Sequence, residues 1–437
     1  MRISRYTPAM PAVLADLCIE ARFILPMTTR GRVLENQTLV VRDGRILDLL
    51  PRMDAAERYT ATVVIQRPAH LLMPGMINTH TYAAMSLLRG IDRPDPLQES
   101  HCLGPEFVRD GVVTSVAEML ASGITCFADR YYYPDETARV AGEQGMRTVI
   151  GLPVAETQSP WAKSAADYLT QGLRVRDEYA GHPLISTVFA PHAPSKIDNA
   201  TFERIATLAA ELDAGIVIDL HESADAIAQS VAVHGVRPIE RLWQLGLLTP
   251  ALHAVHMAHA TAQDLELAQR TGVAVSLCSG ASLEREHRLP PVASIVASGI
   301  RIGLGTGTGG RHQDVWGEMR LLALLTSPLA AVRANTAWDA LAVATRGGAS
   351  VLGLDGDVGT LEAGKWADLC CLDLGGPAIQ PMRDPVTQLV FCGGRDLVSD
   401  VWVAGRQLLS AGEYTRLDWP GVAARANAWT QRMNGGR

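Results

Sequence analysis

From residue 74 to about 350 the chain alternates short apolar runs with amphipathic ones. The apolar runs are ITCFAD, RTVIGLP, ISTVFAPHAP, GIVIDLHE, ALHAVHMAH, VAVSLCS and IRIGLGT. Between them lie segments with helical spacing, such as VTSVAEMLASG and ATFERIATLAAELD. Buried parallel strands read as continuous apolar stretches, and each must be followed by a crossover element. A repeat of this length predicts an α/β fold, an eight-stranded (β/α)8 TIM barrel, with a doubly wound sheet as the competing topology. The two ends read differently. ADLCIEARFILP, QTLVVRDGRILDLLP and ATVVIQRP lie before the repeat, and ADLCCLDL, QLVFCGG and DLVSDVWVAGRQLL lie after it. All are strand-like, and Asp43-Gly44 carries a hairpin signal. The expected organisation is residues 1–70 as one part of a small composite β-sandwich, 71–355 as the catalytic barrel, and 356–437 as the rest of the sandwich and a tail.

The composition supports a large core: 47% of residues are hydrophobic and 19% charged. A formal charge of -7 argues against the basic surface that phosphate binding needs, so no nucleic-acid partner is expected. The seven cysteines are scattered without a C-x-x-C pair, as in a reducing compartment. Cys370 and Cys371, if on a strand, face opposite sides. The start, MRISRYTPAMPAVLADL, is broken by two prolines and Asp16, and no run of 18 apolar residues occurs. A cytoplasmic protein with a small-molecule substrate and no membrane partner is the expectation.

Barrel chemistry collects at the C-terminal ends of strands. Those ends are polar at NTHTY (78–82), APHAP (190–194), DLHES (219–223), HMAH (256–259) and GTGTGG (305–310). Alternate residues of a strand share a face, which groups His80 with Tyr82 and Asp219 with His221. A single strand-end histidine is more often merely hydrogen-bonded, and that reading is preferred for His221, His253 and His259. The glycines 305, 307 and 310 also spell G-x-G-x-x-G. A dinucleotide cradle should open the first βαβ unit and be followed by an acidic strand end about twenty residues on; TSPLAAVRANT offers neither.

The strings MPGMINTHTYAAMSLLRG, APHAP, LHES, AVHMAHAT, GEMRLLALL, GLDGDVGTLEAGKWADL, DPVTQLVF and VWVAGRQLL together resemble the amidohydrolase superfamily. The similarity points to its chlorohydrolase/deaminase branch, which includes methylthioadenosine and S-adenosylhomocysteine deaminases and triazine hydrolases. The resemblance implies a metal-dependent-hydrolase barrel beside a composite sandwich, and a dimer or larger homo-oligomer. It also maps a metal site onto positions that have changed. The first-strand His-x-His is His80-Thr81-Tyr82, and Asp219 stands where a histidine ligand is expected, with the catalytic glutamate kept as Glu222. His256 matches the sixth-strand histidine. The seventh-strand His-Cys-Pro-x-Ser-Asn has become Leu277-Cys278-Ser279-Gly280-Ala281-Ser282. The last-strand Gly-Thr-Asp has become Gly305-Thr306-Gly307. His192 matches a substrate contact, and the loop after Arg89 is shorter than usual.

A catalytic zinc needs about three protein ligands. Tyr82 is a poor one, because its phenol must lose a proton of pKa about 10. The expectation is therefore no cofactor, with Asp219 pairing with a protonated His80. The alternative is one zinc or iron ion on His80, Asp219 and His256, a two-His-one-carboxylate set. The function expected is metal-independent acid–base chemistry (hydrolysis, addition/elimination or cyclisation) on a small nitrogen heterocycle or nucleoside-like substrate. The candidate catalytic residues are Glu222, His256, Asp219, His80 and Tyr82, and the substrate-binding candidates are His192, Arg89, Ser282 and Thr306. Two rivals are a non-catalytic protein that binds a ligand or partner, and a residual metal-dependent C–N hydrolase or deaminase.

Overall fold

A computed structural model describes residues 13–91, 102–307, 312–327 and 333–434. Eight strands close into a barrel: β5 (Met76–Thr81), β6 (Ile124–Asp129), β7 (Arg147–Val154), β8 (Ile185–Pro191), β9 (Ile216–Leu220), β10 (Leu252–His256), β11 (Ala274–Leu277) and β12 (Ile302–Leu304). All neighbours pair in parallel, and β12 meets β5 through Leu304 and Asn78. The TIM barrel is the architecture that the alternation of apolar and amphipathic runs implies. Strands β5, β6, β7, β9, β10 and β11 are buried along their whole length, which explains why they read as unbroken apolar runs.

The two ends build a second sheet. Strands β1 (Val13–Ile24), β2 (Leu34–Arg42), β3 (Arg45–Pro51) and β4 (Tyr59–Pro74) precede the barrel. Strands β13 (Leu369–Asp373), β14 (Val398–Val403), β15 (Arg406–Ser410) and β16 (Glu413–Tyr414) follow it. They form one eight-stranded sheet in which β13 pairs with β4, so both ends of the chain share a single hydrogen-bonded layer. Asp43 and Gly44 turn β2 into β3 with φ of 51° and 74°, the mirror-image turn that suits a twisted hairpin. Cys370 and Cys371 do face opposite ways, each buried in a different apolar cluster. One strand reading fails: QLVFCGG belongs to the helix Pro385–Cys392. Asp384 caps that helix by accepting from the backbone of Val386 and Thr387, and Pro385 sits in its first turn. These local signals outweigh the β-branched composition.

Barrel and sheet are tied by a buried ion pair. Arg147 at the start of β7 sends Nε to Asp368 Oδ2 at 2.7 Å, and the same carboxylate accepts from the backbone of Ala404. Among the described residues no helix is long and apolar enough to cross a membrane.

Candidate active site

The chain enters the barrel through Pro74-Gly75. A Cβ at Gly75 would lie 2.1 Å from the Thr125 side chain, so only glycine passes there. Strand β5 then carries His80 into the barrel mouth, fully buried. Asp219 comes from β9 and His256 from the end of the adjacent β10. His256 and Met257 both take positive φ, 75° and 59°, and His221 takes 52°. Such backbone is costly for residues with side chains and persists where surrounding bonds over-determine it. Here Met257 donates to Leu220 O and His259 to His221 O, both at 3.0 Å, stitching the two strand ends together. Glu222 follows directly. Ser223 caps the helix Ala224–His234 by accepting from Ala226 N, which fixes where the chain turns and hence where Glu222 points.

The resulting cluster is tight. His256 Nε2 lies 3.7 Å from Asp219 Oδ1 and 3.7 Å from Glu222 Oε1. The His80 ring meets the Tyr82 and His256 rings edge-on, with centroids 5.1 and 6.0 Å away. Ligand-capable atoms of His80, Asp219 and His256 all lie within 4.8 Å of one another. His80 Nε2, Asp219 Oδ1 and both ring nitrogens of His256 are buried without a hydrogen-bond partner. Buried polar atoms left unpaired are costly unless something is to be bound.

The most consequential residue here was absent from the sequence reading. Arg130, immediately after β6, is 5% exposed, as is Asp219. Its Nη2 donates to both Asp219 Oδ2 and the Tyr82 hydroxyl, and Nη1 donates to His192 O at 3.3 Å. The expected Asp219–His80 ion pair is therefore corrected: the counter-charge of Asp219 is a guanidinium. Burial alone would raise the Asp219 pKa, but Arg130, with His256 and His80, holds it well below the usual carboxylate range. Burial, reinforced by Arg130, pushes His80 well below its ordinary value, so its imidazole is neutral. Burial likewise lowers His256 and raises the Tyr82 phenol, which keeps its proton. The rule that polar residues gather just past barrel strands would have found Arg130 in ITCFADR. Arg285 was also missed; it reaches Glu222 Oε1 at 2.6 Å from the helix Ser279–Glu286.

The other candidates have definite places. His192 follows β8 and is exposed. Ser282 is buried with its hydroxyl unpartnered. The Thr306 hydroxyl accepts from Asn78 and donates to Gln313, so it is engaged inside the barrel. Arg89 pairs with Glu118 at 2.5 Å. Residues 92–101 of the loop following Arg89 lie outside the described residues, as does Gly310. His221 accepts from Ile239 N and His253 bonds Ser276, while His259 Nε2 lies 3.5 Å from Glu286 without a hydrogen bond. Gly307 is not simply a position without a side chain. Its φ is +71°, and a Cβ there would lie 2.8 Å from Ala281 Cβ and 2.9 Å from Cys278 Cβ. A side chain at this position would collide with both residues.

Residues 71–408 match the amidohydrolase family. A 5-methylthioadenosine/S-adenosylhomocysteine deaminase from Teredinibacter turnerae is 37% identical, covering 97% of this chain and 98% of that protein. The same-named protein from Saccharophagus degradans is 36% identical with the same coverage. Among solved structures, an adenosine deaminase from Xanthomonas campestris with bound zinc superposes with a TM-score of 0.94 at 35% identity, covering 97% of this chain and all of that one. The zinc complex of an atrazine chlorohydrolase from Arthrobacter aurescens has the same fold, with a TM-score of 0.85 at 22% identity over 94% of this chain and 99% of that one.

These likenesses correct the expectation of no cofactor. A close structural neighbour carries zinc, and the buried His80–Asp219–His256 set points to a metal here as well. Tyr82 keeps its proton and Gly307 has no side chain, but the unpaired donors of His80, Asp219 and His256 lie within 4.8 Å of one another. Two neutral imidazoles and an ionised carboxylate are the protonation states a divalent metal requires.

Proposed function

We propose a function that proceeds from one established fact: the chain belongs to the amidohydrolase family. It is a metal-assisted C–N hydrolase that removes the exocyclic amine of an adenosine-like nucleoside, with 5′-methylthioadenosine, S-adenosylhomocysteine and adenosine as the substrates to try first. The names of its relatives support that class. The observation that carries the reading is the convergence of His80, Asp219 and His256 with Glu222 beside them.

His80, Asp219 and His256 would hold the ion. A zinc ion bound in such a site lowers the pKa of water to about 7 and so supplies a nucleophile at neutral pH. The chain's own residues do the rest. Glu222 accepts a proton from the attacking water and returns it as the amine leaves, so that water and an aminopurine become an oxopurine and ammonia. His256 Nε2 stands 3.7 Å from both Asp219 and Glu222, which places the proton-transferring carboxylate beside the ligand set. Arg285 anchors Glu222 from the solvent side. The buried phenol of Tyr82 keeps its proton and contributes a hydrogen bond rather than a base.

The test is Glu222→Gln, assayed by the ultraviolet change from adenine to hypoxanthine and by ammonia release. A fall in kcat of about a hundredfold or more, with zinc content unchanged, is expected. Unaltered turnover would remove Glu222 from the mechanism. No deamination of any of the three substrates by zinc-loaded protein would sink the proposed activity.

A further inference from the structure

Arg130 and a divalent ion make claims on the same carboxylate. The guanidinium takes Asp219 Oδ2, while Asp219 Oδ1 faces His256 at 3.7 Å and has no hydrogen bond. The arginine is not a surface group that swings away at no cost. It is 5% exposed, follows β6 directly, and is held by three partners: Asp219, Tyr82 and His192 O. Its guanidinium also stands over the Tyr82 ring, 5.3 Å from the centroid. The set {His80, Asp219, His256} contains one negative charge, and Arg130 already offsets it. A carboxylate shared between two cations gives each less than it would give one alone, and inside the protein the two cations also repel.

We propose that Arg130 is an internal competitor for the metal: guanidinium and divalent ion act as opposing partners of Asp219, so the ion is held weakly and exchanges readily. The inference rests on the metal site proposed above and adds a residue that sets its affinity. It also gives a physical role to Tyr82. Its phenol oxygen accepts from Arg130 and helps keep the guanidinium at the carboxylate. Uptake of metal thus requires Arg130 to loosen its hold on Asp219. Removing the arginine charge should therefore strengthen metal binding even though it removes a residue from the site.

The experiment is zinc titration of metal-stripped protein against a chromophoric chelator, in the unmutated chain and in Arg130→Gln and Arg130→Met. Zinc affinity at least tenfold tighter in the variants is expected, and Asp219→Asn should abolish the gain. Equal or weaker affinity in folded variants overturns the competition while leaving the metal site standing. Zinc binding to neither the unmutated chain nor the variants overturns both. If the variants do not fold, the unmutated protein still decides the matter by NMR of its arginine side chains. The buried Arg130 guanidinium signals should shift and lose exchange protection as zinc is added. Signals unchanged at saturating zinc overturn the proposal.

Discussion

The Glu222 carboxylate sits 2.6 Å from the Arg285 guanidinium on its open side, while the same oxygen lies 3.7 Å from His256 Nε2. Arg285 is half exposed, so solvent screens this pair and its share of folding stability is small, about 1 kcal/mol at most. Its value is orientation. Arg285→Leu is expected to lower kcat about tenfold with little change in melting temperature. A variant with full activity would show that Glu222 is held by other means.

An aspartate introduced after the last barrel strand, at Gly307, should not give a better metal site. At Gly307 an aspartate must adopt φ near +71° and push its Cβ into Ala281 and Cys278. Left-handed strain and overpacking together predict a loss of about 2–4 kcal/mol for Gly307→Asp. Denaturant unfolding measures the loss, and zinc titration should find no gain in affinity. A stable variant with tighter zinc binding would contradict the packing account.

His253 gives a pH dependence whose sign can be worked out. Burial, with Arg130 and Arg301, pushes its pKa down to about 3, against about 6.5 when unfolded. Between those values the unfolded chain holds a proton that the folded one lacks, so stability falls as pH falls through the window. The unmutated protein should lose about 1 kcal/mol more than His253→Gln between pH 6 and 5. Parallel unfolding curves at the two pH values check this. Glutamine keeps a hydrogen bond for Ser276, which His253 Nε2 bonds at 2.5 Å.

The joint between barrel and sheet has a separate test. Asp368→Ala strands the Arg147 charge, whose side chain is 5% exposed, and leaves Ala404 N without its acceptor. A buried pair broken on one side costs about 3–5 kcal/mol. Thermal unfolding should show the loss, while kcat well below the new melting point should be near normal. Lost activity in fully folded protein would mean that this joint also shapes the site.

Much of this molecule is written locally. The alternation of apolar and amphipathic runs determined the parallel strands and their crossovers, because a parallel strand needs a crossover and is buried on both faces. Closure into a barrel and not a doubly wound sheet was decided in three dimensions. Polar residues at successive strand ends marked His80, Asp219, Glu222 and His256, since a closed parallel barrel must bring those ends to one mouth. What no local pattern could decide is which charge answers which. Arg130 and Asp219 are 89 positions apart, and a buried ion takes its partner from whatever strand end stands across the barrel. The same holds for Arg285 reaching Glu222 from the helix after β11, and for Ala281 and Cys278 closing the space at Gly307. Along the chain, Tyr82 and Gly307 favoured the loss of a metal over the alternative set of His80, Asp219 and His256. In three dimensions the unpaired donors of His80, Asp219 and His256 converge, because burial and charge act between neighbours in space and not along the chain.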